Sequence, residues 1–274
     1  MLVDLEFSYD ETTAAMDVFC QKDIDNLRLW IQRLDKSKCV PKDLTDKQIV
    51  LFYNACYGDM NKVKLCIQNY YSCRRNAPEL FSHRVMKAED LRKAAEIAEF
   101  FLLPGKSCEG YEVLVHRLHD TDASKFDVDA LARLMFMTVD LHLTSRGPQS
   151  GYMLLVDMKG FNFGHLTKMS LSTIRKTFPY LQEAVPVRVC AIHVINTEPI
   201  LDKLLFIVKP FMEKKFYDMI KFHNKNGDRA DLFKIVPKSN LPSDYGGSLP
   251  DAQTLHKDLW VLYISATTFW FIQA

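Results

Sequence analysis

The sequence lacks any run of about 18 uncharged apolar residues, so we expect no ordinary transmembrane helix. It contains seven cysteines but no CxxC pair. The first residues, MLVDLEFSYDE, are acidic and have no apolar core, so we expect no secretory signal peptide and a cytoplasmic protein with reduced thiols. Internal repeats and low-complexity segments are also absent, which excludes a repeat architecture.

Strong net charge is missing too, because 35 Lys and Arg residues stand against 34 Asp and Glu residues. The resulting balance of +1 excludes a strongly basic nucleic-acid-binding protein. The charge is unevenly distributed, however, since residues 159–238 contain 14 Lys or Arg and 7 Asp or Glu residues. This local excess predicts either a surface that contacts an anionic partner or lysines that are scattered and solvated.

Signatures of catalysis are missing as well, and no GxGxxG or GxxxxGK[ST] phosphate loop is present. Cys190 and His193 are three residues apart on a predicted strand, so they point to opposite faces and cannot form a nucleophile–base pair. Cys66 and Cys73 lie roughly 10 Å apart along a predicted helix, too far for one zinc ion. Asp157, near the end of a predicted inner strand, has no evident Lys, His or Glu partner. We therefore expect no enzyme, no metal site and no cofactor.

The first hundred residues carry only short helical patterns, and residues 1–22 have no clear period. Thr45 and Gln48 have the spacing of a capping box, and Asp59 is placed to cap the helix after it. We therefore expect residues 1–104 to form a small all-α domain. Its helices are predicted over residues 24–34, from Thr45 and Asp59 onward, and over residues 88–102.

From Gly110 onward the pattern alternates between strands and helices, which predicts an α/β fold over residues 105–250. Two strand-like runs, residues 152–158 and 187–195, are too apolar to have one solvated face, so we expect both inside a parallel sheet. A final helix is expected to pack on this domain from within residues 251–274. The other elements are predicted at residues 111–118 and 233–236 (strands) and at residues 128–143, 170–184 and 255–272 (helices).

The helix predicted over residues 200–211 has more apolar surface than a helix lying on a sheet needs. At 100° per residue, Leu204 and Val208 share one face and Phe206 points the opposite way. One explanation is full burial under another segment, such as the closing helix. The other is a lid, with one face over an apolar cavity and the other free to contact a membrane. Four lysines surround the apolar residues, as suits an anionic lipid surface: Lys203, Lys209, Lys214 and Lys215.

Four blocks in this order resemble the CRAL-TRIO family: GYMLLVDMKGFNFGHL, TFPYLQEAVPVRVCAIHVINTEP, KPFMEKKF and VPKSNLPSDYGG. The resemblance covers about residues 105–250, and the helices before them look like the N-terminal domain of that family. It implies a mixed, mostly parallel sheet that floors a deep apolar pocket, with a mobile helix as its gate. That gate corresponds to about residues 199–215.

The resemblance also implies which side chains line the pocket, although each of them could instead belong to the core. Thr138 and Tyr152 are the polar candidates for orienting a ligand. The implied pocket consists of Leu131, Leu134, Thr138, Tyr152, Val156, Phe161, Met169, Leu181, Val185 and Ile192. The implied gate consists of Leu201, Leu204, Leu205, Phe206, Val208 and Phe211.

Relatives in the family carry a basic cleft that binds phosphoinositide headgroups through four Lys or Arg positions, and this chain matches it only in part. Arg188 and Lys215 stand at two of these positions, whereas Cys190 and Met219 occupy the others. Lys214 and Lys221 are the candidates to compensate. Release of a ligand on phosphoinositide binding is therefore in doubt.

The function implied by the resemblance is that of a cytoplasmic carrier. Such a protein binds one small hydrophobic ligand, such as tocopherol, a retinoid or a carotenoid, and transfers it to or from membranes. The alternative is an interaction module that senses phosphoinositides or recruits a protein without transport. The expected partners are a lipid and, transiently, an anionic membrane surface, and no nucleic acid is expected.

Overall fold

The computed structural model describes residues 5–82, 84, 85, 88–224 and 229–265. Within these ranges, no helix is both long enough and apolar enough to cross a membrane. The fold consists of an N-terminal group of helices followed by a five-stranded sheet with helices on both faces.

Two capping motifs predicted from the sequence open helices of the N-terminal group. The Thr45 hydroxyl accepts from the Gln48 amide nitrogen, and the Gln48 side chain accepts from the Thr45 nitrogen at 2.9 Å, which confirms the capping box. The Asp59 carboxylate accepts from two backbone nitrogens of the next helix, which confirms it as a cap. The helices are α1 (Tyr9–Ala14), α2 (Gln21–Arg33), α3 (Asp46–Ala55), α4 (Met60–Asn76), α5 (Pro78–Phe81) and α6 (Glu89–Ile97).

The sheet is mixed and mostly parallel, as the resemblance implied. Its strands are β1 (Ala98–Leu102), β2 (Glu112–Leu118), β3 (Tyr152–Asp157), β4 (Val189–Thr197) and β5 (Ile220–Asn224), and their spatial order is the order in the chain. Only the β1–β2 pair is antiparallel, and the other three pairs are parallel. Parallel neighbours need crossover connections, and the helices after β2, β3 and β4 supply them.

The remaining helices connect or follow the strands. They are α7 (Val128–Arg146), α8 (Phe163–Thr167), α9 (Leu171–Pro179), α10 (Leu201–Val208), α11 (Lys214–Tyr217), α12 (Arg229–Phe233) and α13 (Ala252–Ser265). One π-helical turn, Tyr180–Ala184, continues α9, and one 3-10 turn, Lys209–Phe211, continues α10. The predicted closing helix begins three residues before the expected start, and residues 266–272 of that prediction lie outside the described part of the chain.

Side chains alternate along each strand and give the sheet two different faces. The C-terminal face carries residues such as Val115, Leu155 and Ile195, which pack against Val236 and Tyr245 of the later chain. The helical face carries Phe100, His116, Val156 and Val194, paired strand by strand across the sheet. This second face lies under α7, α9 and α10.

Two predicted elements are wrong. The helix expected over residues 88–102 ends at Ile97, and Ala98–Leu102 is the edge strand β1. The sheet therefore begins before the expected domain boundary at residue 104. The strand expected over residues 233–236 is absent, because Arg229–Phe233 is helical and the fifth strand lies earlier, at Ile220–Asn224. The expected lead-in also contains a short helix, α1.

A buried ionic cluster joins the N-terminal helices to the rest of the protein. The Arg74 guanidinium on α4 donates to both carboxylate oxygens of Asp140 on α7, at 2.8 and 2.6 Å, and to the Tyr180 hydroxyl. Arg84 also donates to Asp140, at 2.6 Å. Burial alone would raise the pKa of Asp140, but Arg74 and Arg84 hold it below its ordinary value. Phe136 and Tyr180 pack into the core of the N-terminal helices, so one apolar core crosses the expected boundary.

Candidate functional site

An apolar cavity of about 230 Å³ lies between the helical face of the sheet and the helices above it. Its volume is somewhat below the range of about 300–1,000 Å³ that is common for small-molecule pockets. The cavity is lined by Phe100, His116, Leu118, Phe126, Val128, Leu131, Ala132, Met135, Val156, Asp157, Met158, Phe161, Met169, Thr173, Ile174, Thr177, Phe178 and Leu204. Such a lining favours a ligand that is mostly hydrocarbon.

The strand and helix periods explain why these residues meet. On the sheet, Phe100, His116 and Val156 are cross-strand neighbours and form the floor of the cavity. Leu131 and Met135 are four residues apart on α7, so they project from one face of that helix. Regular structure on both sides, the sheet below and helices above, thus fixes the walls of the cavity.

Helix α10 covers the cavity with one face and exposes the other. Leu204 lines the cavity and Val208 is buried, whereas the Phe206 side chain is 84% exposed. The predicted opposition of Leu204 and Phe206 is therefore confirmed. The alternative explanation, full burial of this helix under another segment, is wrong for Phe206. Leu201, Leu205 and the Phe211 of the following turn are partly buried.

Exposed apolar side chains continue beyond α10. Phe163 on α8 and Leu171 at the start of α9 are both exposed, as is Phe206. The Lys203 ammonium lies 5.4 Å from the centroid of the Phe163 ring, so α8 and α10 are neighbours at this surface. We call Phe163 and Phe206, which lie on these neighbouring helices, the apolar rim. Large exposed apolar residues grouped in this way are typical of surfaces that contact a partner or a membrane.

Four of the ten side chains predicted to line a pocket do line this cavity: Leu131, Val156, Phe161 and Met169. The structure places the other six elsewhere. Leu134 packs against the cluster around α6 and β1, and Ile192 packs beside Met158 and Phe216. Leu181 and Val185 contact the core of the N-terminal helices.

The two predicted polar candidates are also outside the cavity lining. The Thr138 hydroxyl donates to the Leu134 carbonyl at 3.0 Å, a bond within its own helix. The Tyr152 hydroxyl is buried without a hydrogen-bond partner, and its ring meets that of His142 edge to face. The polar side chains that do line the cavity include His116 and Thr177, which the sequence did not single out. The sequence could have indicated His116, because it shares one face of a predicted strand with Leu114 and Leu118.

Of the four residues predicted to bind headgroups, one is buried and three are exposed. Arg188 is only 6% exposed, and its Nε donates to the Asn54 carbonyl at 2.6 Å. Its guanidinium also lies 3.9 Å from the centroid of the Tyr57 ring, so Arg188 joins β4 to the N-terminal helices. The other three, which are exposed, are Lys214 (paired with Asp218 at 2.5 Å), Lys215 (paired with Glu213 at 2.8 Å) and Lys221.

Groups considered for chemistry have structural partners. The Asp157 carboxylate accepts from the Tyr245 hydroxyl at 2.9 Å and from the Asn196 amide at 2.7 Å, on the face away from the cavity. His193 pairs with His223, whose Nε2 lies 2.9 Å from its Nδ1, and not with Cys190. Over the described ranges, no group of three His, Cys, Asp or Glu residues could hold a metal ion.

Comparison with known proteins agrees with this architecture. The family model for the CRAL/TRIO domain matches residues 98–247, and a model for the Pinta-like UBA domain matches residues 17–91. The alpha-tocopherol transfer protein-like protein of Homo sapiens is 27% identical over 212 residues, which are 77% of this chain and 61% of that protein. Clavesin-1 of Xenopus laevis is 24% identical over 197 residues, 71% of this chain and 58% of that protein.

A crystal structure of Sfh5 has the same fold, with a TM-score of 0.58 and 13% identity over 92% of this chain and 93% of that one. The chain spans about three fifths of the length of the curated relatives it matches. Its CRAL/TRIO match begins at β1 and includes the whole sheet and α10. Because that match covers more than half of the sequence, the chain belongs to the CRAL/TRIO domain family.

Proposed function

We propose that this protein binds one small hydrophobic molecule in the apolar cavity and transfers it to or from membranes. The observation that carries the proposal is helix α10, which lines the cavity with Leu204 and exposes Phe206 on its opposite side. A helix of this kind can leave the cavity and keep an apolar environment if it moves into a lipid surface. The proposal therefore explains why α10 exposes the apolar side chain of Phe206 to solvent.

The driving force for binding would be removal of apolar surface from water. A ligand that buries roughly 300 Å² in the cavity gains about 7 kcal/mol before the entropic cost of association is subtracted. Because that gain is not directional, it selects for size and apolar character and not for one compound. The human relative is named alpha-tocopherol transfer protein-like, so tocopherol is the first candidate to test, and a retinoid or a carotenoid is an alternative of similar character.

The apolar rim and its neighbouring lysines support contact with an anionic membrane. Lys203 on α10 lies beside Phe163, and Lys209, in the turn that continues α10, lies 4.5 Å from the centroid of the Tyr217 ring. Two positive charges therefore lie on or directly after α10. Basic side chains near a membrane surface each contribute about 1 kcal/mol of attraction to anionic lipid. Since Arg188 is buried, the proposal does not include a headgroup cleft that triggers release.

Native mass spectrometry after mild purification tests the proposal. We expect one lipid-sized molecule to remain bound, and we expect empty protein to take one up from a total lipid extract. The Val156→Trp variant should lose this binding because the larger ring fills the cavity floor, whereas Leu65→Trp, at an exposed position on α4, should retain it. Wild-type protein that stays empty in the presence of the extract would contradict the proposal.

A further inference from the structure

The polar atoms of the cavity lining divide into those with partners and those without. The Asp157 carboxylate is bonded to Tyr245 and Asn196 on the other face, and the Thr173 hydroxyl donates to Asp129. The Thr177 hydroxyl, in contrast, is buried and has no hydrogen-bond partner. Neither ring nitrogen of His116 is hydrogen-bonded to any residue that the structure describes. Buried polar groups are nearly always hydrogen-bonded, so the Thr177 hydroxyl requires an explanation. The half-buried His116 ring adds two unpaired polar atoms to the cavity lining.

His116 is held firmly on the cavity floor. It is in the middle of β2, opposite Val156 on one side and Phe100 on the other. Its ring stacks on that of Phe100, with centroids 4.4 Å apart and an angle of 12° between the planes. Adjacent strands and this stacking fix the ring where it meets the cavity. A hydrogen bond from a ligand to this ring would therefore have a defined position and direction.

The charge state of His116 determines what it can bind. Burial lowers its pKa to about 4, although the nearby Asp157 carboxylate acts in the opposite direction. The imidazole is therefore neutral near pH 7 and offers one donor and one acceptor. Thr177 adds a hydroxyl that can both donate and accept. This combination matches a hydroxyl group, which also has one donor and accepts hydrogen bonds.

An anionic headgroup does not fit the same place. The lining set contains no Lys or Arg side chain that could neutralise an anionic group. Burying a carboxylate or a phosphate without a cation costs far more than one hydrogen bond returns. The chemistry of the lining thus separates uncharged lipids from fatty acids and phospholipids.

We infer that the ligand is an uncharged lipid with a hydroxyl group, which hydrogen-bonds to His116 and Thr177. This inference rests on the proposed function, because it names the class of molecule that the same cavity carries. His116 and Thr177 are then the residues that orient the ligand, in place of the predicted Thr138 and Tyr152. A ligand without a hydroxyl would leave both groups without partners.

A competition between three matched probes tests this inference. The protein is incubated with phosphatidylcholine vesicles that contain equal amounts of 1-tetradecanol, tetradecane and tetradecanoate. It is then re-isolated, and the bound compounds are extracted and quantified by gas chromatography. The bound ratio of alcohol to alkane is compared between wild type and variants, so that different partitioning into the vesicles cancels.

In His116→Phe, which keeps an aromatic ring on Phe100, we expect the alcohol-to-alkane ratio to fall about three- to tenfold, the range for loss of one hydrogen bond. Thr177→Val should also lower the alcohol-to-alkane ratio. This variant replaces His116→Phe in the test if thermal unfolding shows that His116→Phe does not fold. The matched control is His119→Phe, outside the cavity, which should keep the wild-type ratio.

If His116→Phe folds and keeps the wild-type ratio of alcohol to alkane, the inference is wrong. If only Thr177→Val folds, a wild-type ratio in that variant has the same meaning. More bound tetradecanoate than tetradecanol in the wild type would also overturn the inference. These results differ from failure of the proposed function, in which wild-type protein binds none of the three probes.

Discussion

The two faces of the sheet are built from the same strands, but they differ in whether their polar side chains are hydrogen-bonded. On the C-terminal face, Leu155 is fully buried and the polar groups of Asp157 and Tyr245 bond to each other. On the helical face, one residue further along each strand, a cavity remains and His116 has no partner among the described residues. Alternation along a strand thus separates the face that stabilises the fold from the face that can accept a ligand.

This difference should be measurable with one substitution at two neighbouring positions. Leu155→Ala on the C-terminal face should lower the free energy of unfolding by roughly 3 kcal/mol, because it leaves a void in a closed core. Leu154→Ala on the helical face should cost only about 1 kcal/mol, because Leu154 is partly exposed. Urea unfolding measures both values. Equal losses would show that the two faces are packed alike, contrary to the comparison.

Removing one polar group from each face should change the free energy of unfolding in opposite directions. Tyr245→Phe deletes the hydroxyl that donates to Asp157 and should destabilise the protein by about 1 kcal/mol. His116→Phe deletes polar atoms that have no partner and should stabilise the ligand-free protein by up to about 1 kcal/mol. Denaturant unfolding of lipid-stripped protein at pH 7 is the measurement. Destabilisation by His116→Phe would indicate a structural partner for that ring.

Acidification should also affect a histidine on each face. Burial lowers the pKa of both His116 and His193 to about 4, and for His193 the neighbouring His223 and Lys221 act in the same direction. An unfolded chain binds these protons near pH 6.5, so stability is complete above that pH and falls as the pH drops toward 4. Either His→Phe variant should therefore reduce the loss of unfolding free energy between pH 6.5 and 4.

The two variants should differ at pH 7, where both histidines are neutral. His193→Phe removes the partner of His223 and should lower the unfolding free energy, whereas His116→Phe should not. His119, which is exposed and next to Glu99, supplies the control substitution. A pH profile that is unchanged in both variants would assign the acid sensitivity to other groups, such as His142, whose pKa burial also lowers to about 4.

The fold followed from the sequence where local patterns were decisive. The apolar runs of β3 and β4 predicted inner parallel strands, and the alternation around Asp157 correctly placed its side chain away from Val156. The strand β1 was missed because α6 ends at Ile97 and β1 begins at Ala98, with no Gly or Pro between them. An Ala- and Glu-rich run without a break is typical of one continuous helix, and only pairing with β2 makes its end a strand.

The site was less predictable because it depends on contacts between distant segments. Arg188 had a position consistent with headgroup binding, but its partner is the Asn54 carbonyl, 134 residues away in the chain. Thr138 was predicted to orient a ligand, but its hydroxyl donates to the Leu134 carbonyl within α7. A local pattern can say that a side chain faces inward, but not whether the space in front of it is filled.

The smallest effect on stability, and the sharpest test of α10, is expected from Phe206→Asp. Because Phe206 is 84% exposed, this change should alter the free energy of unfolding by less than about 0.5 kcal/mol. It should nevertheless slow transfer of a bound lipid to anionic vesicles several-fold, since a carboxylate on the exposed face opposes insertion into an anionic surface. Leu65→Asp, at an exposed leucine on α4, should leave the rate unchanged. If Phe206→Asp unfolds the protein, α10 belongs to the core and is not a lid. If Leu65→Asp slows transfer equally, the slowing comes from the added negative charge and not from its position on α10.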